Sequence, residues 1–151
     1  MPDRILRTSA GVLGGFTIIL GLTYAWIGIT WLISPTPTRL AGIEWAPINA
    51  HTVGIWWVAG GLVALIGGAW SVRPVAAGIG AFAAILTPAV VAGIFLVSVW
   101  HGNDHGLITA GSYAPYALLA AWVTWRAGRS SEDTARALAA TARHDSQEGR
   151  V

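Results

Sequence analysis

His101 and His105 stand four residues apart, and on a helix that spacing aims two imidazoles at one metal ion, with Glu44 or Asp104 adding a carboxylate. The intervening residues argue against a helix. Gly102 and Gly106 bracket Asn103-Asp104, a turn composition in which the two rings leave a common face. His51 with His101 offers a second chemistry, a haem held by imidazoles from facing helices, though no second histidine pair accompanies it. With Asn49 and Asn103 these residues form the one concentration of chemically capable side chains, and solvated loop residues are the ordinary reading of such a set.

Other chemistries are poorly served. The chain has no cysteine, which removes thiol redox chemistry, disulfides and thiolate metal sites. It has no Gly-x-Ser-x-Gly elbow, no phosphate loop and no His-Glu-x-x-His. Catalytic residues are therefore not assigned, and neither is a cofactor.

The elements that must position these groups follow from charge spacing. Between Thr8 and Trp125 there are only four formal charges, Arg39, Glu44, Arg73 and Asp104, and each uncharged stretch holds the roughly 20 apolar residues needed to cross about 30 Å of hydrocarbon. The composition, 54% hydrophobic and 11% charged, is far from the roughly 25% charged content of a soluble domain. The sequence thus predicts an all-α integral membrane protein, a four-helix transmembrane bundle occupying residues 1–126, with spans near 11–33, 51–70, 75–99 and 107–125. Residues 127–151 form a polar tail with four Arg and four acidic residues. That tail is read as a short helix capped by Ser130 or Ser131, with Ala135, Leu138, Ala139 and Ala142 on one side, or as disorder.

Orientation follows from arginine. Arg4, Arg7, Arg73, Arg126 and Arg129 fall on one side of four crossings and Arg39 on the other, which predicts both termini in the cytoplasm and a plasma (inner) membrane location. The apolar run after Arg4 and Arg7 exceeds the roughly 7 to 15 residues of a signal peptide, so it is read as a retained span. A net charge of +2, with basic residues at span ends, points to topology and not to nucleic acid. Trp31, Trp45, Trp56, Trp57, Trp100, Tyr113 and Tyr116 are expected in one interfacial belt, and Trp70, Trp122 and Trp125 in the other.

Small residues recur at spacing four: Gly11 and Gly15, Gly21 and Ala25, Gly60, Ala64 and Gly68, then Ala76, Gly80, Ala84 and Ala92. Such stripes let helix backbones touch, which matters in lipid because apolar burial gives little drive for helix association. Pro88 sits midway along span three and is expected to kink it, since its missing N–H would have bonded to Ala84. The polar residues within the spans, Thr17, Thr23, Tyr24, Thr30, Thr87 and Ser98, are all uncharged, so no proton relay or ion-coupling site is legible.

The layout as a whole, an Arg4/Arg7 head, glycine-rich spans such as Gly11-Val12-Leu13-Gly14-Gly15, tight loops and an arginine-bearing tail, resembles small multi-span holin-like membrane proteins of actinobacterial phages. The resemblance implies a non-enzymatic protein that self-associates in the bilayer and permeabilises it. Two other readings stand beside it. One is an accessory subunit packed against a larger respiratory or envelope complex; the other is an outer-face protein binding a metal or haem through His51, His101, His105, Asp104 or Glu44.

Overall fold

The computed structural model describes the backbone of residues 2–148; the side chains at 1–10, 131, 134, 138 and 141–151, among them Arg4, Arg7, Leu138 and Ala142, lie outside the described residues. The helices are α1 (Pro2–Ile33), α2 (Pro37–Ala41), α3 (Ala50–Ala69), α4 (Pro74–Trp100) and α5 (Gly106–Glu148), with no strand among the described residues. Four segments are long and apolar enough to span a membrane: Gly11–Ile33, Ala50–Ala69, Pro74–Trp100 and Gly106–Ala137. They make an all-α four-helix bundle, the architecture of a multi-pass membrane protein.

Local chemistry sets the breaks. Ser34-Pro35-Thr36-Pro37 stops α1, and Pro37 then opens the short α2, where its fixed φ suits the first helical turn. Asn49 caps α3, its Oδ1 accepting from Thr52 N at 2.9 Å. Arg73 is extended, the conformation favoured before proline, and Pro74 begins α4.

Helices α1 and α3 run antiparallel along a seam with a period of seven residues. On α1 the seam takes the buried residues Gly14, Thr17, Gly21, Tyr24, Gly28 and Trp31, spaced alternately three and four apart, and on α3 it takes Gly54, Trp57, Gly61, Ala64 and Gly68; Leu20, Ala50, Val53 and Gly67 are buried beside it. The glycines meet in register, Gly14 with Gly68, Gly21 with Gly61 and Gly28 with Gly54. A Cβ on Gly21 would lie 2.7 Å from the Gly61 carbonyl oxygen, and one on Gly68 would lie 2.8 Å from that of Gly14. No side chain fits there, so the backbones themselves form the contact. The seven-residue period is that of left-handed packing at a shallow crossing angle, which keeps two helices in contact along their whole length. Helix α4 closes on α3 with small residues too, Gly80 against Gly67 and Thr87 against Gly60.

The stripes at spacing four fall on this architecture unevenly. Ala25, at Gly61, and Gly21, Gly60, Gly68, Ala76 and Gly80 lie at helix contacts, and Ala64, Ala84 and Ala92 are buried. Gly11 and Gly15 face outward, with none of the described residues within 4 Å of where a Cβ would be. The seam runs through Gly14 because an antiparallel helix in long contact repeats every two turns, and a one-turn repeat drifts off the contact face.

The other half of each seam is aromatic. Tyr116, Tyr24, Trp57, Tyr113, Phe95 and Trp31 form a continuous column, with successive ring centroids 6.3, 5.1, 5.3, 6.0 and 6.4 Å apart. Trp31, Trp57, Tyr24 and Phe95 are fully buried. Of the residues expected in that belt, Trp31, Trp57 and Tyr113 face the interior and Tyr116 is half-buried, whereas Trp56, adjacent to Trp57, is exposed, as is Trp100. Neighbouring residues on a helix point about 100° apart, so one of two consecutive tryptophans can enter a core while the other meets lipid.

Pro88 is accommodated by Tyr24. The proline leaves the Ala84 carbonyl without its helical donor, and the Tyr24 hydroxyl donates to that oxygen across the bundle at 2.8 Å. The tail also differs from expectation. No new helix starts at Ser130 or Ser131, both of which lie inside α5; the helix continues to Glu148, because the segment beyond Gly128 holds no helix breaker, and Arg136 pairs one turn back with Glu132 at 3.5 Å and Asp133 at 3.6 Å.

Replacing Tyr24 with Phe is expected to destabilise the detergent-solubilised protein by about 1 kcal/mol, the scale of an interhelical hydrogen bond in a membrane protein. In a Pro88→Ala background that cost should shrink toward zero, because the substitution restores the backbone N–H that the Ala84 carbonyl lacks. Denaturant titration of the four proteins measures the cycle; an undiminished Tyr24→Phe cost in the second background refutes the assignment.

Candidate functional site

The start of α1, the turn at 70–73 and the part of α5 that follows Trp125 lie at one end of the bundle, and the 34–49 connection and the 101–105 turn at the other, here called the loop end. The chemically capable residues gather there because the two connections fold toward one another. Gly42 sits directly on the Phe95 ring, Ile43 is buried beneath the connection, and Trp45 Nε1 donates to the Gly42 carbonyl at 2.9 Å. Arg39, half-buried, lies 5.3 Å over the Trp31 ring and donates to Thr30 Oγ1 at 3.1 Å. The connection is therefore a cover held against the top of the aromatic column.

The 101–105 turn is built by a glycine. Gly102 has φ of 87°, and with it Asn103 N donates to Ser98 O at 3.0 Å and Gly102 N to Val99 O at 3.1 Å, the paired bonds of a Schellman helix end. Asn103 ties both sides together: its Nδ2 donates to Ser98 Oγ at 3.0 Å and its Oδ1 accepts from His105 N at 3.1 Å. His101 therefore ends one helix and His105 precedes the next, and the four-residue spacing carries no helical alignment.

Between connection and turn is a cleft of about 530 Å³, lined by Glu44, Trp45, Ser98, His101, Asn103, Asp104 and His105. The His101 ring stacks flat on Trp45, with centroids 5.0 Å apart and planes 5° from parallel. Ser98 is buried and its hydroxyl donates to the Phe95 carbonyl at 2.7 Å, so it is not activated by either histidine. The structure thus brings Glu44, His101, Asp104 and His105 to one cleft, yet no group of three or more His, Asp or Glu among the described residues is close enough together to hold a metal. His51 is outside the cleft, exposed in the first turn of α3. Below the mouth, where a haem between His51 and His101 would extend, Trp57, Phe95 and Tyr113 fill the interior.

What sequence reasoning missed is the column itself. Its signal was present as Tyr24 and Trp31 seven residues apart, each three residues after a glycine. The rings leave two donors, Trp31 Nε1 and Trp57 Nε1, buried without an oxygen or nitrogen partner among the described residues. Comparison of the chain with protein-family models, curated proteins and solved structures finds no match, so its function is argued from geometry.

Gly102→Ala, which forces a side chain into the left-handed region, and Asn103→Ala, which removes both bridging bonds, are each expected to cost about 1 to 2 kcal/mol. They should also open residues 101–105 to limited proteolysis. Wild-type cleavage kinetics in both variants would show that the turn is held by something else.

Proposed function

We propose that this membrane protein acts without catalysis, by associating with copies of itself in the plane of the plasma membrane and permeabilising it in the manner of a holin. The observation that supports this reading is the pairing of a filled interior with an unused packing face. Six touching rings occupy the bundle axis, so a path for solutes runs between copies and not through one. Gly11 and Gly15, one turn apart on α1, lie exposed at the surface with open space where a side chain would be, while the glycines of the α1–α3 seam are all occupied within the bundle. A bare backbone stripe facing lipid is the surface on which a second helix approaches closely. Under this proposal the end bearing Arg73, Arg126 and Arg129 faces the cytoplasm, a reading supported by its excess of arginine.

The double substitution Gly11→Leu with Gly15→Leu tests it. Induced wild-type protein is expected to give crosslinked oligomers and collapse of the membrane potential. The variant should keep its helical signal and thermal midpoint yet lose both properties by about tenfold or more, the effect of about 1.4 kcal/mol at the interface. Monomer alone from the wild type, with the potential intact after induction, refutes the reading.

A further inference from the structure

A second concavity lies at the opposite end of the molecule, on its lipid-facing side. Beside the close contact of Gly67 with Ala76 and Gly80, helices α3 and α4 and the turn at 70–73 leave an apolar groove of about 400 Å³. Ile66, Gly67 and Trp70 line it from α3, Val75 and Ile79 line it from α4, and Arg73 stands at its rim. Its walls are exposed, Trp70 by 60%, Val75 by 73% and Ile79 by 55%, so none of the described residues covers them. The groove is the width left by a missing side chain: Gly67 and Ala76 form its floor because the helices touch backbone to backbone there.

The charge at the rim has no partner among the described residues. The arginines that follow Trp122 and Trp125 at this end are engaged, Arg129 lying 4.4 Å over Trp125 and Arg126 5.8 Å over Trp122. Arg73 is exposed, and its guanidinium has no ion pair, hydrogen bond or ring contact among the described residues. It sits at the end of two spans, the depth of phospholipid headgroups, above a groove at the depth of acyl chains.

From this arrangement we infer that the α3–α4 groove is a binding site for an anionic phospholipid of the leaflet that meets the 70–73 turn. The phosphate pairs with Arg73, the Trp70 ring lies at the level of the glycerol backbone, and one acyl chain runs over Gly67 between Ile66 and Ile79. The occupant is a lipid and not a second protein because the groove combines one cation with a purely apolar channel, which complements one phosphate and one chain. The inference is independent of self-association, which rests on the exposed glycines of α1.

The test uses the full chain in detergent, titrated with phosphatidylglycerol or with phosphatidylcholine of the same chains and read by native mass spectrometry. Wild-type protein is expected to retain one phosphatidylglycerol about five- to tenfold more tightly than phosphatidylcholine, the effect of one well-placed arginine. Arg73→Gln should bring the two lipids level, and Ile79→Trp, which fills the groove, should weaken both. Inorganic phosphate should compete with neither; displacement of the lipid by phosphate alone would reduce the site to a bare anion contact and overturn the inference. Equal binding of both lipids by the wild type, or unchanged selectivity in Arg73→Gln, overturns the site and leaves only unspecific annular lipid. A lipid-free dimer that Ile79→Trp dissociates would assign the groove to a second copy and equally overturn it.

Discussion

Contact between bare backbones along the α1–α3 seam is the constraint from which the rest of this structure follows. In lipid, burying an apolar side chain against another helix gains little over leaving it in acyl chains, so association depends on dispersion between surfaces that approach closely. Gly14, Gly21 and Gly28 against Gly68, Gly61 and Gly54 supply that approach. Once one side of each helix is reduced to backbone, the bulk needed to fill the bundle must come from the neighbouring seam positions. Tyr24, Trp31 and Trp57 provide it, and Phe95 and Tyr113 complete it from α4 and α5. Size, more than polarity, sorts residues here: glycine and a few large rings inside, and Val12, Ile19, Leu22, Trp26 and their like outside.

A second constraint is that every polar backbone group in the membrane needs a partner from within the protein. Hydroxyls in the spans obey it locally, Thr17 donating to Leu13 O at 2.7 Å and Thr23 to Ile19 O at 2.9 Å. Pro88 breaks the helical ladder, and the repair comes from another helix through Tyr24. The tyrosine thereby has two roles, a ring in the column and a donor to the carbonyl the proline exposes. The indole donors of Trp31 and Trp57, without an oxygen or nitrogen partner among the described residues, are the counterweight, each costing about 1 to 3 kcal/mol unless a ring face accepts it.

The same packing divides the surface into three regions with different chemistry. The loop end carries a polar cleft whose imidazoles are parted by the Gly102 turn, one of them stacked on Trp45. The α1 surface carries the glycines the seam did not use. The corner between α3 and α4 carries a groove with a guanidinium at its edge. All three open sideways or outward, and none leads through the filled axis, which is why lateral association and lipid recognition fit this protein better than transport within one subunit.

Much of the fold was legible in the residues. Four charges spaced along a long apolar region, prolines at 35, 37 and 74, and Asn49 before a helical run mark out four apolar helices, and the structure has four helices long and apolar enough to cross a membrane. The candidate cleft was legible in composition only, since Glu44 and Asp104 lie sixty residues apart and meet because the cover over Phe95 turns back on itself. Sequence alone determined that this chain spans a membrane four times, because hydropathy over about twenty residues depends on nothing but those residues. Which glycines touch, which tryptophans enter the core and which carbonyl Tyr24 satisfies were decided by tertiary structure alone. In an apolar solvent every face of a helix is permitted to be apolar, and only the register between helices selects the one that packs.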